Sequence, residues 1–161
     1  MPRESTATYR FGDLLALARL SWVSQMASGL AEMGYDDYRR SDAAVMRLLQ
    51  RGPMSIGRLG EGTGVTRQAA RKMADGLERR GFATTSRDES DFRQINVLLT
   101  NEGASYASAV VATIERLNRE LCARVDPADL AGADTVLRAV LGDGHSQRLA
   151  KLVPPPGAHL R

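Results

Sequence analysis

Apolar residues return every three to four positions through most of this chain, interrupted once by a stretch that alternates with period two. Over residues 8–33, Leu14, Leu15, Leu17, Trp22, Val23, Met26 and Leu30 recur at helical spacing, which predicts a long first helix stopped by Gly34. Ser41 is placed to cap a second helix with Ala44, Val45, Leu48 and Leu49 inward, and Gly52-Pro53 ends it. A third, short helix opens at Ser55 and extends to Glu61. Its glycines at 57, 60 and 62 each cost up to about 1 kcal/mol relative to alanine, so tertiary contacts must hold it.

Gly64 then makes a turn and Thr66 caps a fourth helix. Ala70, Met73, Ala74 and Leu77 fall on one side of it, and Arg67, Gln68, Arg71, Lys72, Asp75, Glu78 and Arg79 on the opposite arc. Gly81 closes it, and two strands follow over 82–87 and 93–99. In the second, Ile95, Val97 and Leu99 alternate with Gln94 and Asn96, as a half-buried strand requires. The hairpin tip, Asp88-Glu89-Ser90-Asp91-Phe92, is polar apart from one ring. Thr100 caps a fifth helix that reaches Arg124, with Ala107, Val110, Val111, Ile114, Leu117 and Leu121 as its apolar face. Asp126-Pro127, a cap and an N1 proline, starts a sixth that reaches Leu141. Residues 142–161 read as a partly helical or irregular tail, and no internal repeat is evident.

Charge changes this picture by its location. The formal net charge of the 161 residues is +3. Segment 66–80 alone sets Arg67, Arg71, Lys72, Arg79 and Arg80 against Asp75 and Glu78. Such a local basic patch is the electrostatic footprint of a nucleic-acid binder. Of 22 cationic side chains only Lys72 and Lys151 are lysines, a bias that extends beyond this segment and matches the codon usage of a GC-rich genome. A basic helix followed by a charged hairpin suits DNA, since a helix fits the major groove and a hairpin beside it reaches phosphate or minor groove.

Other chemistries find little support. Cys122 is the only cysteine, which excludes an intramolecular disulfide and a multi-cysteine zinc site. His145 and His159 lie in the tail without clustered ligands, so no metal and no cofactor is expected. No nucleophile with its base appears, and the glycines at 57–64 lack the Gly-Lys-Ser/Thr ending of a phosphate loop, so no enzyme is expected. The N-terminus lacks a signal-peptide core, and no stretch approaches the roughly 18 apolar residues of a membrane span. A cytoplasmic location and no membrane partner are expected.

Over residues 9–142 the chain resembles the MarR family of bacterial transcription regulators. The resemblance is carried by Asp91-Phe92-Arg93, then Val97-Leu98-Leu99-Thr100-Asn101-Glu102-Gly103, which match the family's Asp-x-Arg wing and its strand ending Leu-Thr-x-x-Gly. Gly64-Val65-Thr66-Arg67 and Leu77-Glu78-Arg79-Arg80-Gly81 resemble its recognition helix and exit. Phe92 stands where many relatives have a second arginine, and Gln68 where proline or a small residue is common. The implied fold is mainly α with a small β-wing: a winged helix-turn-helix core at 41–100 between an N-terminal dimerisation helix at 1–40 and C-terminal dimerisation helices and tail at 101–161.

The resemblance implies a homodimer on a pseudo-palindromic operator. The surplus apolar surface of the first, fifth and sixth helices independently favours two copies. Arg67, Gln68, Arg71 and Lys72 are the candidate groove contacts, because arginine pairs bidentately with guanine and glutamine with adenine. Thr66 and Ser55 are candidates for phosphate at helix N-termini, Arg87 for the DNA backbone and Arg93 for the minor groove, with Asp91 orienting a nearby arginine. Arg79 and Arg80 read as surface or salt-bridge residues. The family further implies a repressor released by a small aromatic or phenolic effector, with Trp22, Met26, Met46 and Leu49 as lining candidates or, more simply, as core. Cys122 is either a redox switch or, the better reading, buried or inert. Two alternatives keep the fold: a protein-interaction module without DNA binding, and a DNA-binding regulator with no ligand switch.

Overall fold

The computed structural model describes residues 10–87 and 94–142. Its elements are α1 (Phe11–Ala31), α2 (Asp42–Leu49), β1 (Met54–Ser55), α3 (Ile56–Thr63), α4 (Arg67–Arg79), β2 (Ala83–Arg87), β3 (Ile95–Leu99), α5 (Asn101–Cys122) and α6 (Pro127–Leu141). This is a mainly α chain with a small wing sheet, as the periodicity predicts. The sheet is antiparallel in the order β1-β3-β2. β2 pairs along its whole length with β3, from Ala83↔Leu99 to Arg87↔Ile95. β1 was not expected: two residues are too few to show a period, yet Met54↔Val97 and Ser55↔Asn96 pair and make the wing three-stranded.

Most predicted caps form. The hydroxyl oxygens of Thr66, Thr100 and Ser55 accept from the amides of Ala69, Gly103 and Arg58, and the Asp126 carboxylate accepts from Ala128. Each satisfies a donor that the helix start leaves unpaired, at about 1 kcal/mol. Ser41 is the correction. Its backbone is already helical, and its side chain makes no capping bond. The Asp42 carboxylate instead accepts from the Arg39 amide at 3.1 Å.

The Leu-Thr-x-x-Gly stretch has a mechanical explanation. Besides capping α5, the Thr100 hydroxyl donates to the Gly81 carbonyl at 2.6 Å, and its amide donates to the Phe82 carbonyl at 3.1 Å. A Cβ on Gly103 would sit on that Phe82 carbonyl. Glycine here lets α5 start directly against the exit of α4. The exit itself needs Gly81 at φ +77, with the Phe82 amide returning to Leu77 O and the Gly81 amide to Glu78 O.

The core joins Met26 and Leu30 of α1, Met46 and Leu49 of α2, Leu59 of α3, Leu77 of α4 and Val97 of β3 to one face of α5. Tertiary contact does hold the glycine-rich α3: Leu59 is fully buried, and a Cβ on Gly62 would lie 2.8 Å from Leu48 Cδ1. The buried face of α5 differs from the predicted one. It is Tyr106, Ala107, Val110, Thr113 and Leu117, while Val111 and Ile114 are half-buried and Leu121 is exposed. Ala44 and Met73 are likewise only half-buried. α6 buries no residue, and Leu14, Leu15, Leu17 and Leu20 on the first half of α1 are exposed.

Candidate nucleic-acid interface

α4 is held from behind and left open in front. Ala70, Ala74, Gly76 and Leu77 are buried; the first three are small and let the helix lie close to its neighbours, and Leu77 anchors it in the core. Thr66, Arg67, Gln68, Lys72 and Arg79 are exposed, and Arg71 is half-exposed. The predicted groove contacts therefore share one solvent-facing arc.

The acids on α4 do not neutralise that arc evenly. Glu78 turns to the wing, where its Oε1 accepts from the amide and hydroxyl of Thr85, both at 3.2 Å. Asp75 accepts from Arg71 Nε at 2.9 Å, with both side chains more than a third exposed. An i,i+4 pair of this kind is worth about 0.3–0.5 kcal/mol, against about 1–3 kcal/mol for a bidentate base contact. The pair orients Arg71 in the free protein without holding it there.

The hydroxyls of Thr66 and Ser55 accept from the helix amides, which leaves their own protons as donors for a phosphate. Thr66 is exposed and Ser55 half-buried. Arg87 is exposed at the end of β2. Asp91, Phe92 and Arg93 lie outside the described residues, as do His145 and His159.

Arg79 and Arg80 behave differently. Arg79 is exposed, whereas Arg80 turns inward and its side chain is only 11% exposed, in a bidentate ion pair with Asp42. Burial alone would lower the Arg80 pKa, but the hydrogen bonds and charge of Asp42 raise it overall. One cation near the arc was missed by sequence reasoning. Arg39, from the α1–α2 connection, packs its guanidinium over the Gly76 backbone, where a Cβ would meet it at 3.4 Å. With Lys72 it borders a cleft of about 170 Å³ beside α4. The absence of a side chain at Gly76 was the available signal, though nothing in the sequence says which residue fills that space.

The four candidate effector-lining residues sit in or against the core: Met26, Met46 and Leu49 are buried and Trp22 is half-buried. The two described clefts are lined by other residues; the larger, about 430 Å³, lies between Arg51, Pro53, Met54, Arg58 and Glu61. Cys122 is exposed, not buried, because it ends α5 beyond Leu117, its last buried residue. Among the described residues no group of three His, Cys, Asp or Glu is arranged to hold a metal ion, and no helix is long and apolar enough to cross a membrane.

No protein-family model matches the chain, and no curated protein matches its sequence. Solved structures do match in shape. The S. aureus MepR–DNA complex superposes with a TM-score of 0.72 at 14% identity, covering 83% of this chain and 96% of that one. A mutant MarR from E. coli complexed with operator DNA gives 0.69 at 20% identity, covering 81% and 93%. PcaV from Streptomyces coelicolor, in complex with its natural ligand, gives 0.68 at 23% identity, covering 87% and 96%. This chain has the winged helix-turn-helix fold of the MarR-type regulators.

Proposed function

We propose that the chain is a sequence-specific, DNA-binding transcriptional regulator of the cytoplasm, acting as a homodimer on a pseudo-palindromic operator. The observation that carries this reading is the open arc of α4, on which Arg67, Gln68, Arg71 and Lys72 meet solvent beside a three-stranded wing. Arg67 and Arg71 suit guanine and Gln68 adenine, at the helix end nearest the groove floor. Lys72, Thr66, Ser55 and Arg87 suit phosphates, which position the protein without reading sequence. For Arg93 and Asp91, which lie outside the described residues, the reading keeps the roles the resemblance implies: a minor-groove contact and a carboxylate that orients a nearby arginine. MepR and MarR, of the same fold, were solved on DNA.

A dimer accounts for the uncovered apolar residues of α1 and α6. Two-fold symmetry then places half-sites about one helical turn apart, roughly 10 bp. Selection from a random duplex library tests this: the expected product is an inverted repeat at that spacing, bound by two chains. A non-symmetric product, or none, contradicts it. A protein-interaction module of this fold would have no use for four polar and cationic groups on one exposed arc.

We further infer, from the family resemblance, that binding represses and that a small aromatic or phenolic ligand relieves it; PcaV, of the same fold, was solved in complex with its natural ligand. Such a ligand must favour one arrangement of the recognition helices, because equal affinity for both shifts nothing. Trp22, half-buried on α1, is the natural reporter. Phenolic acids that quench it and release the operator support the switch, and quenching without release argues for a regulator with no switch.

A further inference from the structure

Three side chains that share no sequence pattern meet between α2, α4 and α5. Asp42 is 3% exposed and accepts Arg80 Nη1 at 2.8 Å and Nη2 at 2.9 Å. The Tyr106 hydroxyl donates to the same carboxylate at 2.7 Å, across 64 residues of sequence. Arg80 spends its other donors on the backbone, with Nε on Gly76 O at 3.2 Å and Nη1 also on Asp37 O at 2.9 Å. Its guanidinium lies 5.3 Å from the centre of the Phe82 ring, and that ring stacks on Tyr106 at 4.3 Å. No buried side-chain polar atom among the described residues lacks a partner.

Stability alone does not explain this arrangement. Desolvating two charges offsets most of what their attraction gains, and apolar groups of equal volume often serve as well. What an ion pair of this kind adds is direction: a planar guanidinium fork on a carboxylate accepts one orientation, whereas an apolar contact tolerates sliding. The other buried residues of α4 are Ala70, Ala74, Gly76 and Leu77, all without such direction.

We propose that Asp42, Arg80 and Tyr106 are positioning residues that clamp the C-terminal end of α4 to α5, and so set the separation of the two recognition helices in a DNA-bound dimer. This rests on the DNA-binding reading above. α5 leads into α6, whose Val136, Leu137 and Val140 are exposed, and in the proposed dimer these residues would meet the second copy. A turn of α4 against α5 is then a change in spacing between the two recognition helices. Burial, and the Asp42 charge beside it, raise the Tyr106 pKa, which keeps its hydroxyl a donor.

The test uses full-length protein and a series of selected operators with half-sites at native spacing and one base pair nearer or farther. Tyr106→Phe keeps the ring stack and removes only the hydroxyl. The expected variant is a dimer with unchanged affinity for random duplex, about tenfold weaker on the native spacing, and with its preference between spacings flattened. Arg80→Lys, which keeps the charge and loses the fork, is expected to flatten it similarly. A lower melting temperature with the wild-type spacing preference intact, in either folded variant, overturns the clamp and leaves the DNA-binding reading standing. Wild-type protein that does not distinguish operator from random duplex overturns both.

Discussion

Leu59 and Leu20 are the same side chain in opposite circumstances. Leu59, on α3 of the winged core, is 0% exposed, whereas Leu20, on α1, is 67% exposed. The contrast extends to whole elements. The winged core closes over its own apolar residues within one chain, even where glycines weaken its helices. The first half of α1 and all of α6 present leucines and valines with nothing described to cover them. Removing apolar surface from water is the main favourable term in folding, so such surface marks an unfinished contact. One chain therefore covers the apolar face of α4 and leaves apolar residues of its flanks open, where the proposed second copy would sit.

The largest effect that separates the two regions comes from truncating these leucines. Leu59→Ala is expected to cost about 2–5 kcal/mol in urea denaturation, since it opens a cavity in a packed core. Leu20→Ala is expected to cost under about 0.5 kcal/mol in dilute monomer. At concentrations where the wild type is dimeric, Leu20→Ala loosens the dimer as read by sedimentation, and Leu59→Ala leaves folded protein dimeric. Equal costs for the two in dilute monomer would break the comparison.

A smaller effect sharpens it. Burial and the charge of Asp42 push the Tyr38 phenol up to about 12, from 10.0. Between those values the unfolded chain releases a proton that the native one keeps. Stability from this group is whole below pH 10 and is lost as pH rises toward 12. Tyr38→Phe is expected to flatten the fall of the urea midpoint over that window. Because Tyr38 packs on the winged core, the change should be the same at low and high protein concentration. A change seen only in dimer would place Tyr38 on the wrong side of the comparison.

Local features were legible in the sequence, and distant ones were not. Thr66, Thr100 and Asp126 are read as caps because the amides they accept from lie two or three residues away. The cationic arc of α4 follows from a period of 3.6 alone. β1 pairs two residues with partners more than 40 positions later, and no period announces it. Ser41 alone was the expected cap of α2; Arg80 and Tyr106, remote in sequence, draw the Asp42 carboxylate inward, and no local signal announces them. Leu121 and Cys122 continue the helix of α5 past the end of the core, so periodicity kept predicting burial where no core remains.

The account stands most directly on the affinity of the selected duplex for wild type and for Arg67→Ala/Arg71→Ala, measured by fluorescence anisotropy over a range of salt. Each arginine lost should remove about 1–3 kcal/mol and relax one base position in each half-site, while circular dichroism and dimer mass stay unchanged. A double variant that binds the selected duplex as tightly as wild type, with the same salt slope, would contradict the assignment of α4 to the major groove.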